Sequence, residues 1–357
     1  MLQFDGRCPA GAGSRHNSFV LRLPATDIAL INRPAAIRVG LVIGVLVAFC
    51  LLIDNRFLAL PLAFGALASG LSEAGEEFGR RWRTMLWTTL WLMTSVAVAG
   101  VLSDHLVIGL VGTAIVGLIA GYSGTAGPRA GIGGLLALVV FTVFLGIPDT
   151  PLGAIDNALA VGLGGVIQAI VTVAVGIATH PRELGLTVQK VPPLWRQIKP
   201  HFIWNDRFTR HALRLSVTVT LATVISHLGD LPDTYWLPMT VAWMTKPDHD
   251  GTTTRILQRI LGTLIGLLLM AFLFDVLHVH SHWTPVITML AAALTVAYMN
   301  ANYAVAVVGV TSFVVPLLIM SGQPSGETLL LRLCATVLAG VLTWASLFLW
   351  PLKAAKV

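Results

Sequence analysis

Two arginines in the second half of the sequence have a spacing that suits them to bind an anion. Arg255 and Arg259 are four residues apart, so a helix places both guanidinium groups on one face. The sequence predicts that this helix begins at 252–254, with Asp250 or a threonine hydroxyl as its cap. The positive end of the helix dipole, together with two arginines, would attract a carboxylate. The alternative is that the arginines anchor the helix at the lipid headgroups.

The segment before these arginines is too short to cross a membrane as a helix. Residues 235–245 are apolar, and at about 1.5 Å per residue such a helix falls well short of the roughly 30 Å hydrocarbon layer. Pro238 has no N–H, so it predicts a broken helix whose free backbone groups face protein or water. Thr240 is a polar group on this predicted cavity wall. Trp243 is either a stacking surface for an aromatic ring or part of the core.

An ordered set of aromatic, proline, threonine, arginine and glycine residues runs through the same stretch. Its members are Tyr235, Trp236, Pro238, Thr240, Pro247, Asp248, Thr252, Arg255, Arg259, Gly262, Thr263 and Gly266. This pattern resembles the fusaric acid resistance family, which includes the aromatic acid exporters of bacterial inner membranes. The family is distantly similar to the aluminium-activated malate transporters of plants.

The resemblance implies a transporter that exports aromatic or other weak organic acids and is powered by the proton gradient. In this interpretation Arg255 and Arg259 attract the substrate carboxylate, and Trp243 offers a stacking surface. Further arginines in matching or neighbouring places, and prolines that open two short helices, complete the site: Arg38, Arg83, Arg214, Pro61 and Pro238. Two alternatives stay open. One is a passive organic-anion channel without proton coupling, and the other is a membrane scaffold that transports nothing.

The composition is that of an all-α membrane protein with several spans. Of the 357 residues, 55% are hydrophobic and 11% are charged, whereas about a quarter of the residues of soluble domains are charged. The mean hydropathy is +0.80. The net charge of +6 does not indicate a nucleic-acid partner, because the basic residues form no continuous face.

The sequence contains no pattern typical of catalysis, of a cofactor site or of a metal site. It has no H-E-x-x-H, G-x-S-x-G or nucleotide-binding motif, so we expect neither an enzyme nor a cofactor. The 3 cysteines have no paired spacing. His278, His280 and His282 would lie on one side only in a strand, so a solvated loop is favoured over a metal site.

Hydropathy predicts twelve membrane spans in two halves. The predicted spans are 35–53, 57–71, 85–102, 106–122, 130–147, 152–179, 211–228, 235–245, 256–274, 283–298, 301–319 and 332–350. The basic, proline-containing stretch 180–210 separates a first six-span repeat, 35–179, from a second, 211–350. Residues 1–34 contain no apolar core of signal-peptide length, and 351–357 form the C-terminal tail.

The distribution of basic residues predicts the orientation in the membrane. If both termini are cytoplasmic, all of the 23 Lys and Arg residues except Arg56 and Arg332 fall on the inner side. A miscounted span would scramble this separation. We therefore expect a bacterial inner-membrane protein with both termini and the linker 180–210 in the cytoplasm.

The two halves also resemble each other in sequence. Ala-Ile-Arg at 36–38 matches Ala-Leu-Arg at 212–214, and Pro61 in a short span matches Pro238 in another. Because each half has an even number of spans, the repeats are predicted to run parallel. Two short, proline-containing segments at corresponding places are a sequence pointer to a transporter site.

Acidic residues in or beside spans are candidates for proton coupling. Asp156 falls in the predicted sixth span, where burial would favour the protonated carboxyl. The alternative places Asp156 in an outer loop. Asp275 at an outer boundary and Asp248 in the turn before Arg255 are the other two candidates.

The expected partners are a small organic-acid substrate and the lipid bilayer. Three G-x-x-x-G pairs allow close helix packing: Gly40/Gly44, Gly117/Gly121 and Gly262/Gly266. Packing within one chain is the favoured interpretation, and a homodimer is the alternative. A periplasmic adaptor protein is not favoured, because large family members have a sizeable cytoplasmic domain where this chain has only 180–210.

Overall fold

The computed structural model of the protein describes residues 26–73, 81–147, 149–179, 194–204, 206–229, 231, 233–322 and 326–349. Within these ranges the chain forms helices and no strand. The α-helices are α1 (Arg33–Leu52), α2 (Ala59–Ser72), α3 (Arg81–Leu102), α4 (Leu106–Ser123), α5 (Pro128–Leu145), α6 (Pro151–Thr179), α7 (Leu194–Ile198), α8 (Arg207–Leu228), α9 (Trp236–Met244), α10 (His249–Ala271), α11 (Thr284–Tyr298), α12 (Tyr303–Met320) and α13 (Gly326–Leu349).

The all-α membrane class is confirmed. Eight helices of the described part are long and apolar enough to cross a bilayer, and the shorter apolar segments Arg56–Ser72 and Thr284–Tyr298 are not among them. Helix α9 has only 9 residues, as short as the sequence predicts. Helix α8 has 22 residues, but Arg207, Arg210 and Arg214 make its first half polar. The predicted count of twelve spans therefore exceeds the eight that length and hydropathy support.

Predicted segments outside the spans are described only in part. The N-terminal segment 1–34 is described from residue 26, and the tail 351–357 lies outside the described residues. Of the linker 180–210, residues 194–204 and 206–210 are described. They contain the short helix α7 and the first residues of α8, which begins at Arg207, before the predicted end of the linker.

Helices α2 and α9 lie in the middle of the bundle, and nearly all of their residues are buried. Helix α2 packs mainly against α6, whereas α9 packs against α8, α13 and α5. The two halves of the chain are interlocked, because α1 packs along α11 and α4 packs along α8. The outward faces are apolar, as in the row Ile37, Leu41, Val45 and Phe49 of α1, which is exposed. Such a row suits contact with lipid.

The three G-x-x-x-G pairs pack helices together within the chain, as the favoured interpretation predicts. Gly40 and Gly44 lie against Met289 of α11, and Gly117 and Gly121 lie against α8. A Cβ atom at Gly262 would collide with the backbone carbonyl of Ala304, so α10 and α12 are in contact through their backbones there.

Helix α10 begins earlier than the sequence predicts. Asp248 is its cap, since its carboxylate accepts a hydrogen bond of 2.6 Å from the N–H of Gly251, and the helix starts at His249. The hydroxyl of Thr252 donates instead to the carbonyl of Asp248, at 2.7 Å, and accepts from the N–H of Lys246, at 3.1 Å. These bonds fix the turn that joins α9 to α10.

Candidate functional site

A cavity of about 240 Å³ lies where α2 and α9 end. Its charged and aromatic lining comes from Glu73 directly after α2, Trp243 near the end of α9, Lys246 in the following turn and Arg255 in the second turn of α10. Apolar side chains of α5 and α11 and the amide of Asn300 complete the wall. Two cations, a carboxylate and an indole ring thus face one space, although Glu73 and Arg255 are far apart in sequence.

The two cations of this cavity are only half-buried, so an anion can reach them. The guanidinium of Arg255 lies 3.9 Å from the centroid of the Tyr303 ring, a cation–π contact that holds the side chain against α12. Burial, and next the nearby charge of Arg255, lowers the pKa of Lys246, while Asp248 opposes this shift. A bound carboxylate would reverse it, because an anion favours the charged ammonium.

Arg38 forms an ion pair with Glu73, which lines the cavity. Its Nη2 donates to Oε1 of Glu73, whose side chain is 2% exposed, and its Nε donates to the hydroxyl of Thr172 at 3.0 Å. The amide of Gln168 also donates to Thr172, at 3.4 Å. The second oxygen of the carboxylate, Oε2 of Glu73, is buried and accepts no hydrogen bond from a described residue.

Arg214 holds the backbone of the turn that carries Lys246. It is 3% exposed, and its Nη2 donates to the backbone carbonyls of Lys246 and Pro247, the latter at 3.3 Å. These carbonyls follow the last turn of α9, where a helix leaves its C=O groups without partners. Arg214 therefore fixes the turn that carries Lys246 rather than facing the cavity itself.

Arg259 lies one turn further along α10 and is not among the cavity-lining residues. It is 1% exposed, and its Nε and Nη2 have no hydrogen-bond partner among the described residues. A buried charge without partners is costly. The buried hydroxyl of Thr240 likewise has no hydrogen-bond partner among the described residues.

Arg83 and the two prolines are not among the residues that line the cavity. Arg83 is half-buried in the first turn of α3, where it lies 5.2 Å from the Trp82 ring and outside the cavity lining. Pro61 and Pro238 are each the third residue of a helix. The prediction that Pro238 breaks its helix is wrong, because the N–H groups of a first turn have no partner within the helix and proline loses nothing there.

The three acidic residues predicted for proton coupling are all exposed. Asp156 lies in the second turn of α6, Asp248 caps α10, and Asp275 lies in a π-helical turn after α10. None of them is among the residues that line the cavity. Sequence reasoning missed Glu73 and Lys246, and the available signal was a charged residue directly after each short apolar helix.

The opposite end of α2 and α9 is closed. The cavity at that end lies between α2, α9, α5 and α12 and has a volume of about 10 Å³. It is lined by apolar side chains that include Phe64 and Met239. Trp236 donates a hydrogen bond to Thr336 at 3.2 Å, and Arg332 lies 4.8 Å from its ring. An ion pair of 2.8 Å joins Arg332 to Asp233. Among the described residues, α2 and α9 thus border a cavity of about 240 Å³ at one end and a much smaller apolar cavity at the other.

Comparison with known proteins identifies a family match in the second half of the chain. Residues 221–346 match the family model described as fusaric acid resistance protein-like. An uncharacterized protein of Synechocystis is 29% identical over 154 residues, which are 43% of this chain and 20% of that protein. The uncharacterized protein YhfK of Escherichia coli is 29% identical over 178 residues, 48% of this chain and 25% of YhfK.

The inner membrane protein YccS of Escherichia coli is 26% identical over 160 residues, 44% of this chain and 22% of YccS. The chain therefore spans a quarter or less of the length of these three relatives. No solved structure matches. The resemblance carried by the motif of 235–266 is confirmed, because residues 221–346, which contain this motif, match the fusaric acid resistance protein-like family model.

Proposed function

We propose that this protein is a secondary transporter of the bacterial inner membrane that exports aromatic or other weak organic acids and is coupled to the proton gradient. The observation that carries the proposal is the cavity in which Lys246 and Arg255 lie beside the indole of Trp243. The family match and the multi-span fold support a membrane transporter. The relative YccS, named an inner membrane protein, supports the location.

The charge of the cavity suits a single carboxylate. Glu73 and Arg38 balance each other as an ion pair, so the positive charges of Lys246 and Arg255 remain for a ligand. A carboxylate between them gains charge-assisted hydrogen bonds, each worth about 1.5–3 kcal/mol. The protein thereby favours the ionised acid over its neutral amide.

The size and wall of the cavity suit one aromatic ring. An apolar cavity of about 150 Å³ holds benzene, so the space of about 240 Å³ accommodates a ring with its carboxylate. Trp243 offers the ring a flat apolar surface, and the side chains of α5 and α11 close the other sides.

We further propose that 35–179 and 211–350 are parallel six-helix repeats that cross the membrane twelve times, with both termini in the cytoplasm. Corresponding helices make corresponding contacts: α3 packs on α6 as α10 packs on α13, and α1 packs on α11 as α8 packs on α4. Alternating access would then be a rocking of the two repeats around α2 and α9. A cavity at one end and a seal at the other is what one half of that cycle requires.

The test uses purified protein in proteoliposomes with a panel of single-ring carboxylates and their neutral amides. We expect saturable carboxylate transport that an imposed pH gradient drives into accumulation, with little transport of the amides. Arg56→Gln is the control, because Arg56 is an exposed arginine far from the cavity. Anion current after a voltage jump, without a pH gradient, would indicate a passive channel instead. Absence of flux and of binding would contradict transport and favour a scaffold.

A further inference from the structure

Glu73 is a buried carboxylate inside the cationic site. It follows the last residue of α2 and is 2% exposed, yet it lines the same cavity as Lys246 and Arg255. One of its oxygens is paired with Arg38, and the other, Oε2, accepts no hydrogen bond from a described residue. A carboxylate of the protein therefore occupies the surroundings that suit the carboxylate of a substrate.

The charged and polar groups around Glu73 come from several helices. Arg38 of α1 pairs with it, Arg81 of α3 contributes a second positive charge, and Thr172 of α6 lies beside the pair. Lys246, in the turn after α9, and Arg255 of α10 line the same cavity as Glu73. Among the described residues, α5 and α11 contribute apolar side chains to the lining, and Asn32 before α1 and Asn300 after α11 contribute amides.

We propose that Glu73 links proton binding to substrate binding: it is ionised and paired with Arg38 in the empty cavity, and it takes up a proton when a substrate carboxylate enters. This inference rests on the proposed function and adds the group that couples the substrate to protons. Because the proton and the anion bind together, they cross the membrane in the same direction. Export is then driven by the concentration gradient of the acid and not by the inward proton gradient. A second anion in the same cavity repels the ionised Glu73, and protonation removes that repulsion. The proton comes from solution and binds the carboxylate, while Arg38 stays charged and becomes available to the substrate.

The surroundings of Glu73 make such a proton exchange accessible. Burial raises the pKa of Glu73, and the charges of Arg38 and Arg81 oppose that rise. Entry of a substrate anion adds to the effect of burial. By contrast, Asp156 and Asp275 are exposed and are not among the residues that line the cavity, so solvent screens their charges from a ligand there.

Linkage gives the expected pH dependence. Because the anion promotes protonation, protonation must promote anion binding to the same extent. Affinity for the carboxylate therefore rises as the pH falls, by up to about tenfold per pH unit in the range where Glu73 titrates. In Glu73→Gln the repelling charge is absent at every pH, so the anion binds tightly with no dependence on pH.

The experiment measures proton uptake in a weakly buffered detergent solution when benzoate is added to the purified protein between pH 6 and 8. Benzoate is ionised throughout this range, so any uptake belongs to the protein. We expect wild type and the matched control Asp156→Asn to take up a proton as benzoate binds, approaching one per bound anion. Glu73→Gln should bind benzoate without uptake and with equal affinity across the range.

The outcomes separate this inference from the proposed function. Binding of benzoate by wild type with no proton uptake overturns the role of Glu73 and leaves the transporter proposal standing. Proton uptake that persists in Glu73→Gln also overturns the role of Glu73 and leaves the transporter proposal standing. If wild type binds no carboxylate at any pH, the proposed function fails and this inference fails with it. If Glu73→Gln does not fold, the wild-type uptake decides, together with Glu73→Asp, which should retain uptake.

Discussion

At the scale of single residues, the buried and half-buried arginines of this protein differ in what balances their charge. Arg38 has a carboxylate, Arg214 has backbone carbonyls and Arg255 has the face of an aromatic ring. Arg259 has no hydrogen-bond partner at Nε or Nη2 among the described residues. Only Arg255 of these four lines the cavity directly, so a substrate meets it first.

Replacing Arg255 should weaken carboxylate binding specifically. Arg255→Gln loses a charge-assisted hydrogen bond of about 1.5–3 kcal/mol, which corresponds to a roughly ten- to hundredfold loss of affinity. Arg255→Lys keeps the charge but loses the planar two-donor geometry, so its affinity should fall between the two. Isothermal titration with benzoate and with benzamide measures both. Equal losses for acid and amide would show that Arg255 does not contact the carboxylate.

Replacing Arg259 should stabilise the folded protein. Arg259→Met removes a buried charge and keeps an apolar stem of similar length, and such changes are often neutral or stabilising by about 1–4 kcal/mol. We expect a higher thermal unfolding temperature in detergent without substrate. A pronounced fall in that temperature would mean that the guanidinium has a partner that stabilises the fold. The comparison is Arg214→Met, which removes the guanidinium donor from the carbonyls of Lys246 and Pro247 and should lower the temperature.

At the scale of helices, close backbone contact decides how the site is held. Helices α10 and α12 touch at Gly262, and Gly266 continues the contact, since a Cβ there would lie 2.7 Å from that of Thr311. The same packing brings Tyr303 under the guanidinium of Arg255. The glycines therefore position the anion-binding arginine indirectly.

Adding a methyl group at Gly262 should separate these helices. Gly262→Ala collides with the carbonyl of Ala304, a backbone atom that cannot rotate away. We expect a lower unfolding temperature and weaker benzoate binding. Gly133→Ala on α5 is the matched control, because its Cβ would lie 3.4 Å from the Thr88 hydroxyl, an ordinary contact. It should be neutral or slightly stabilising through helix propensity. Similar losses in both variants would contradict the role of the Gly262 contact.

At the scale of the whole molecule, two halves interlock and present apolar faces outward. The first helix of each half packs on a helix of the other half: α1 packs on α11, and α8 packs on α4. The exposed rows of Ile, Leu, Val and Phe on the outer helices require a lipid environment. The distribution of basic residues predicts which end faces the cytoplasm.

Cysteine labelling in intact cells tests this orientation. In a cysteine-free variant, Asp54→Cys and His280→Cys should react with an impermeant maleimide added outside, because both lie in exposed turns at the predicted outer end. Trp204→Cys, at an exposed position of the linker, should react only after the membrane is permeabilised. Labelling of the linker from outside would reverse the orientation and place the cavity at the outer face.

The sequence by itself determined the class of the protein, the short helix α9 and the family motif. These features depend on local composition, because the thickness of the hydrocarbon layer and the cost of exposing polar backbone to lipid act on each segment separately. The position of Lys246 and Arg255 around one turn also follows from neighbouring residues.

Only the tertiary structure decided which groups share the site. Glu73 lines the same cavity as Lys246 and Arg255 because the ends of α2 and α9 border one space, an arrangement of distant parts of the chain that no local pattern encodes. The tertiary structure also places Arg255 on the cavity wall and Arg259 outside it, although the two are only four residues apart. Residues at that spacing differ by about 40° around a helix. That rotation, together with one turn of rise, moves Arg259 from the cavity wall into the packed interior, where its charge must be balanced differently.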